Sequence, residues 1–214
     1  MTTAPAAFTD VFTSALRGEV CHVLGLDDLP LRLPVSVWHR VADLGDAALL
    51  AHCIGPTIDI GCGPGRMTQL LAERGHAVLG IDVVPEAVFQ TRERGVSALL
   101  RDVFEDLPGE GRWSTALLAD GNIGIGGDPG ALLARIATLL GAGGRVVADL
   151  APPGTGLRTR NIRLATGSRR SGAFPWSVVG VEAVGALADG AGLTVTGVHQ
   201  HGRRWFAVLD RVAR

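Results

Sequence analysis

Four aspartates and three glycines fall where a nucleotide-like ligand needs them. Asp59 lies inside the apolar stretch "TIDI", Gly61, Gly63 and Gly65 follow in "GCGPGR", and Asp82 closes the next apolar stretch, "VLGID", 23 residues after Asp59. Glycines in such a turn let the backbone approach a ligand where a Cβ would collide. A carboxylate ending the second strand offers two acceptor oxygens, which suits a pair of ribose hydroxyls. Asp102 and Asp120 close two further apolar stretches, "LLRD" and "ALLAD". Each also has a plainer reading as a turn former or helix N-cap. Cys62 is a small residue of the glycine loop, and no adjacent residue supplies the base that a nucleophilic thiol wants.

These residues need a parallel sheet with its strand ends side by side. From Gly55 onward strand and helix patterns alternate. The spacing predicts strands over 57–60, 77–81, 97–100, 114–119 and 145–150, and helices over 66–74 and 85–94, each stopped by a glycine (Gly75, Gly95). "DPGALLARIATLLGAGG" and "SVVGVEAVGALADGAGL" predict two more helices. "TVTGVHQHGRRWFAVLDRV" predicts a terminal hairpin turning near His201 and Gly202. The expectation is an α/β, Rossmann-like, doubly wound seven-stranded sheet, mostly parallel, with an antiparallel C-terminal hairpin strand and helices on both faces. Residues 1–53 are expected to form an N-terminal helical cap ahead of a ligand-binding domain at 54–214. Within that domain the Pro-, Gly- and Arg-rich stretch 152–177 is expected as a connection on the acceptor side.

Composition narrows the chemistry. All 20 basic residues are arginine and there is no tyrosine. Without lysine there is no P-loop and no lysine Schiff base. Without tyrosine there is no tyrosine general base of the kind that many small nicotinamide reductases use. The dinucleotide fingerprint also wants a third glycine where this chain has Arg66. The three cysteines form no C-x-x-C pair, which predicts free thiols and a cytoplasmic location. The opening segment lacks a basic start followed by an apolar run, so a secretion signal is not expected. No apolar run approaches the ~20 residues of a membrane span. A net charge of −1 gives no general attraction to nucleic acid.

"IDIGCGPGR", followed in order by "VLGIDVVPEAV", "LLRDVFEDLP" and "ALLADGNIGIG", resembles the class I S-adenosylmethionine-dependent methyltransferases, over about Thr57–Leu150. The resemblance implies S-adenosyl-L-methionine as cofactor and S-adenosyl-L-homocysteine as product. The loop Gly61–Cys62–Gly63 with Gly65 would lie against the ligand, and Asp59 would reach its ammonium end directly or through water. Asp82 would take the ribose hydroxyls and Val83 would lie on the adenine. Asp102 would accept from the adenine amino group, and Val103 would offer its backbone N–H to a ring nitrogen. Asp120 would face the methyl group.

Methyl transfer needs alignment and, for some acceptors, a base. Asp120 and His39 are the candidate bases, with a locally bonded helix residue as the plainer reading of His39. His199 and His201 read as exposed hairpin residues. Asn122 is expected near the acceptor. Arginines 158, 160, 163, 169 and 170 with Trp176 suggest an anionic or aromatic small molecule, for which Arg160, Arg163 and Trp176 are the candidate contacts. The plainer reading of that stretch is a solvated face. Asp120, Asp149 and Asn122 could together hold Mg²⁺, as in catechol O-methyltransferases, but the aspartate–asparagine pair of those enzymes reads Asp149–Leu150 here, so no metal is expected. An RNA methyltransferase and a cofactor-binding protein without transfer activity are the alternatives. A monomer or homodimer is expected.

Overall fold

Short apolar strands separated by amphipathic helices give the chain its order. The computed structural model describes residues 5–167 and 169–211. The elements are α1 (Phe8–Leu16), β1 (Cys21–Leu24), β2 (Leu31–Arg32), α2 (Val35–His39), α3 (Leu44–Leu50), β3 (Thr57–Ile60), α4 (Arg66–Glu73), β4 (Val78–Asp82), α5 (Pro85–Glu93), β5 (Ala98–Leu100) and β6 (Trp113–Leu118). They continue with a kinked 3₁₀ segment (Asn122–Gly127), α6 (Pro129–Leu139), β7 (Leu140–Leu150), β8 (Leu157–Thr166), β9 (Arg169–Arg170), β10 (Phe174–Val179), α7 (Val184–Gly190), β11 (Leu193–His201) and β12 (Arg204–Arg211).

The main sheet has seven strands in the order β11-β12-β7-β6-β3-β4-β5. The five from β7 to β5 are parallel, and β12 and β11 run antiparallel as the terminal hairpin. Alternate side chains feed opposite faces, as the period-two geometry of a strand requires. Ile58, Ile60, Ala116, Leu118, Val146 and Ala148 pack with Leu132, Leu133 and Ile136 of α6 and Val184 of α7. Leu117, Val147 and Phe206 face the other way, against Leu49 and Leu50 of α3 and Met67 and Leu71 of α4. No helix among the described residues is long and apolar enough to cross a membrane.

Three expectations need correction. The N-terminal segment is not all helix, because β1 and β2 lie within it. The stretch expected as a connection, 152–177, holds β8, β9 and most of β10. With β1 and β2 these strands build a second, antiparallel sheet in the order β10-β8-β1-β2, with β9 on β8. Its cause is the alternation of buried Ile162, Leu164 and Thr166 with more exposed neighbours. The helix predicted from Ser177 is cut to α7, because residues 174–179 pair with β8 instead.

The second sheet sits over the carboxyl ends of the parallel strands. Val11 and Ala15 of α1 pack with Val23, Ile162 and Leu164, while Leu16 of the same helix packs on Val84 and Ala87 beside α5. At the other side Ser177 of β10 donates to the Gly127 carbonyl in the 3₁₀ segment, at 2.9 Å.

Candidate functional site

Because β7, β6, β3, β4 and β5 are neighbours in that order, their ends bring Asp149, Asp120, the glycine loop, Asp82 and Asp102 into one row. That row is the crevice at the carboxyl ends of the strands where open α/β sheets hold ligands.

Gly61, Gly63 and Gly65 all have positive φ (70°, 54° and 85°). At Gly65 an added Cβ would lie 2.7 Å from Thr91 Oγ1 and 2.9 Å from the Thr91 Cα, so α4 and α5 would be forced apart. At Gly63 it would meet nothing within 4 Å, which leaves open space on the ligand side of the loop. Gly65→Ala should therefore destabilise the protein by roughly 2–3 kcal/mol and Gly63→Ala by only about 1 kcal/mol, the conformational cost alone. Urea denaturation of both variants separates these cases, and equal losses would mean that Thr91 does not set the spacing. Cys62 turns away from the open space and packs with Val88 and Ala98. Burial there, with Asp59 and Asp82 nearby, pushes its thiol well above the ordinary value.

Asp82 is held for a ligand role. Its Oδ2 accepts from Gly63 N (3.0 Å) and its Oδ1 from Val84 N (2.9 Å), so each oxygen keeps a free lone pair. Burial raises its pKa, and the N–H groups of Val84 and Gly63 oppose that rise. Val83, Leu100 and Phe104 are apolar yet about half exposed beside it (44%, 44% and 46%), a surface that suits a flat ring. Asp102 Oδ1 accepts from Phe104 N at 3.0 Å, and Val103 is buried with its carbonyl bonded to Arg135. Asp59 is only 1% exposed, and its Oδ2 accepts from Thr68 Oγ1 at 2.6 Å. Contact with a ligand from Asp59 must therefore pass through the loop or a bridging water.

Asp120 has a positive φ of 52° and caps, at the solvent side, an ion network whose Asp46 and Arg66 are buried. The Arg66 side chain, 3% exposed at the start of α4, donates to Asp46 and to Asp120. Arg204 at the start of β12 donates to Asp149 Oδ1 (2.7 Å), Asp46 Oδ1 (2.6 Å) and Asp120 Oδ1 (3.2 Å). Arg40 reaches Asp46 Oδ2 at 2.6 Å, and the Asp120 N–H donates to Asp149 Oδ2 at 2.6 Å. Each oxygen of Asp120 thus accepts from one arginine. The sequence reading placed none of Asp46, Arg66 or Arg204 in the site; "DLGD" before α3 was the available signal, because Asp43 and Asp46 form a reciprocal capping box there.

Other expected residues are positioned differently. His39 ties α2 to α5, with its Nδ1 at 3.0 Å from the Val35 carbonyl and its Nε2 at 2.7 Å from Gln90 Oε1. Asn122 Nδ2 donates to the carbonyls of Ile60 (2.8 Å) and Gly61 (2.9 Å), so the amide clamps the glycine loop from below. Arg160 and Arg163 lie on opposite faces of β8. Arg160 pairs with Trp176 across the strands and lines a cavity of about 590 Å³ with Asp27, Asp28 and Arg158. Arg163 faces the other way, and Trp176 packs into the core of the second sheet.

A methyltransferase-domain family matches residues 58–144. The chain is 31% identical over 98 residues to the 2-heptyl-1-hydroxyquinolin-4(1H)-one methyltransferase of Mycobacteroides abscessus, a match that spans 44% of this chain and 41% of that relative. Its fold resembles that of a SAM-dependent methyltransferase from Bacteroides fragilis, solved with S-adenosyl-L-homocysteine. The TM-score is 0.80 at 20% identity, with 99% of each chain covered. It also resembles the 1,6-didemethyltoxoflavin-N1-methyltransferase of Burkholderia thailandensis, solved with 1,6-didemethyltoxoflavin and S-adenosylhomocysteine. There the TM-score is 0.63 at 22% identity, covering 99% of this chain and 94% of that one.

Proposed function

We propose that the chain is a class I S-adenosylmethionine-dependent methyltransferase and that it transfers a methyl group from that cofactor to a small-molecule acceptor. The observation that carries the proposal is the row of strand ends in which the glycine loop and Asp82 stand side by side. S-adenosylmethionine supplies a methyl group already activated on a sulfonium. The protein's task is then to hold donor and acceptor in line and to keep water out. In this reading Gly63 leaves room for the ligand, Asp82 binds the ribose hydroxyls with its free lone pairs, and Val83 and Phe104 cover the adenine beside Asp102 and Val103. Asp59 acts on the ammonium end from beneath the loop. Asp120, fixed in place by ion pairs to Arg66 and Arg204, lies next to the transferred group, where we assign it the positioning of donor and acceptor.

The acceptor would enter beside Asp120, between the connection from α2 to α3 and the turn of the terminal hairpin. The relative named for 2-heptyl-1-hydroxyquinolin-4(1H)-one supports a small molecule, and a place in bacterial specialised metabolism is part of the same reading. The division of the β8 arginines between two faces weakens the reading as an RNA enzyme, which wants one continuous basic surface. The free, buried thiols of Cys21, Cys53 and Cys62 suit a reducing cytoplasm.

The test is calorimetric titration with S-adenosylhomocysteine, with NADH for comparison. Micromolar binding of the first and none of the second is expected. Asp82→Ala should weaken that binding by about 1.5–3 kcal/mol, roughly 10- to 150-fold, the scale of a lost charge-assisted partner. Retention of full affinity by a folded Asp82→Ala variant would remove the ribose assignment.

A further inference from the structure

We propose that the acceptor carries an anionic group, such as a carboxylate, on an apolar body, and that Arg203 at the terminal hairpin recognises it. The proposal rests on the methyl-transfer reading above. A cavity of about 700 Å³ opens directly on Asp120 and Gly121. The connection between α2 and α3 forms one wall, and the turn between β11 and β12 forms the other, with His201, Arg203 and Trp205. Val37, Leu44, Leu150 and Trp205 make its lining partly apolar. Leu44 and neighbouring Val41 are 79% and 86% exposed, apolar surface that an entering ligand would cover.

The charges of this cavity are nearly all satisfied inside the protein. Asp149 and Asp120 on the floor are bound by Arg204 and Arg66. Asp43 at the rim is paired with Arg40 at 2.9 Å, and Arg40 also holds buried Asp46. Arg203 is the exception. It is exposed and has no ion-pair or hydrogen-bond partner among the described residues, and its neighbour His201 is likewise unpaired. The arginines of β8 do not compete for this role, because Arg158 and Arg160 line the other cavity with Asp27 and Asp28, and Arg158 is already paired with Asp27 at 3.4 Å. A guanidinium free to bind in a fork, beside an indole and two aliphatic side chains, matches an aryl or alkenyl carboxylate.

The experiment is ligand-observed NMR on the full chain saturated with S-adenosylhomocysteine. The probes are benzoate, cinnamate and quinoline-4-carboxylate, each compared with its neutral methyl ester. At least one acid should bind tenfold or more tightly than its ester. Arg203→Ala should abolish that preference while leaving S-adenosylhomocysteine affinity unchanged, and Arg160→Ala should leave both intact. Absence of binding by all three acids, equal binding of acid and ester, or a preference that survives Arg203→Ala overturns the assignment. Loss of the preference in Arg160→Ala in place of Arg203→Ala also overturns it, by moving the site to the other cavity. If a separate titration shows no S-adenosylhomocysteine binding while the acids bind the chain alone with the expected preference, the methyl-transfer reading fails and the anion site stands.

Discussion

Asp46→Asn is expected to destabilise the protein by about 3–5 kcal/mol, the cost of removing one partner from a buried ion pair and leaving the other uncompensated. Asp46 has no exposed surface. Its Oδ1 accepts from Arg66 and Arg204, and its Oδ2 from Arg40 (2.6 Å) and the Asp43 N–H (2.9 Å). An amide cannot accept at both ends, and its NH₂ would face a guanidinium. The loss corresponds to a fall in melting temperature on the order of 10 °C for a chain of this size. Asp43→Asn, at a side chain 57% exposed, should cost less than about 1 kcal/mol. Urea denaturation of the two variants tests the contrast, and a small loss at Asp46 would mean that the network is screened by water. The pH dependence has a definite sign. Burial alone would raise the Asp46 pKa, but the hydrogen bonds from Arg66, Asp43 N and Arg40 hold its carboxyl well below the ordinary range. The stabilisation is therefore complete at neutral pH and is lost as pH falls below about 4 toward the folded-state value.

The same residue shows where sequence reading stops. The glycine loop and Asp82 were legible because backbone conformation and strand length act locally: a strand, a turn with positive φ, a helix, a strand. The seven-stranded sheet followed from the alternation of strands and helices. The ion network was not legible, because Asp46, Arg66, Asp120, Asp149 and Arg204 come from five separate parts of the chain, and only the register of β12 on β7 brings Arg204 to Asp149. Arg66 was legible only as a departure from a glycine pattern, although that departure is the buried cation at the centre of the site. The second sheet was missed for a different reason. "RTRNIRLAT" alternates at period two, yet its arginines suit a loop equally well, and its paired residues in β1 lie 139 to 145 positions away. Such pairings depend on contacts that no local window contains.

Asp59 gives the second large effect, with the opposite sign. It is buried beneath the glycine loop with a single hydrogen-bond donor, Thr68 Oγ1. Burial, reinforced by the nearby charges of Asp120 and Asp82 and opposed by Thr68 and Arg66, raises its pKa to about 7. An unfolded aspartate titrates near 4, so between about pH 4 and 7 the folded protein binds the additional proton. Stability should then fall as pH rises through that window, by about 4 kcal/mol in all. Asp59→Asn, which mimics the protonated acid, should remove this slope and be more stable than the parent at pH 8. Urea denaturation at pH 5, 6, 7 and 8 measures it, and parallel curves for the two proteins would show that Asp59 is already ionised at pH 5. The functional consequence follows by linkage. A cationic ammonium brought near Asp59 favours the carboxylate, so S-adenosylhomocysteine should bind with proton release at pH 6–7. Calorimetry in buffers of different ionisation enthalpy would detect that release in the parent, and Asp59→Asn should lack it. Asp59 would then trade fold stability at neutral pH for a negative charge that the ligand's ammonium draws out.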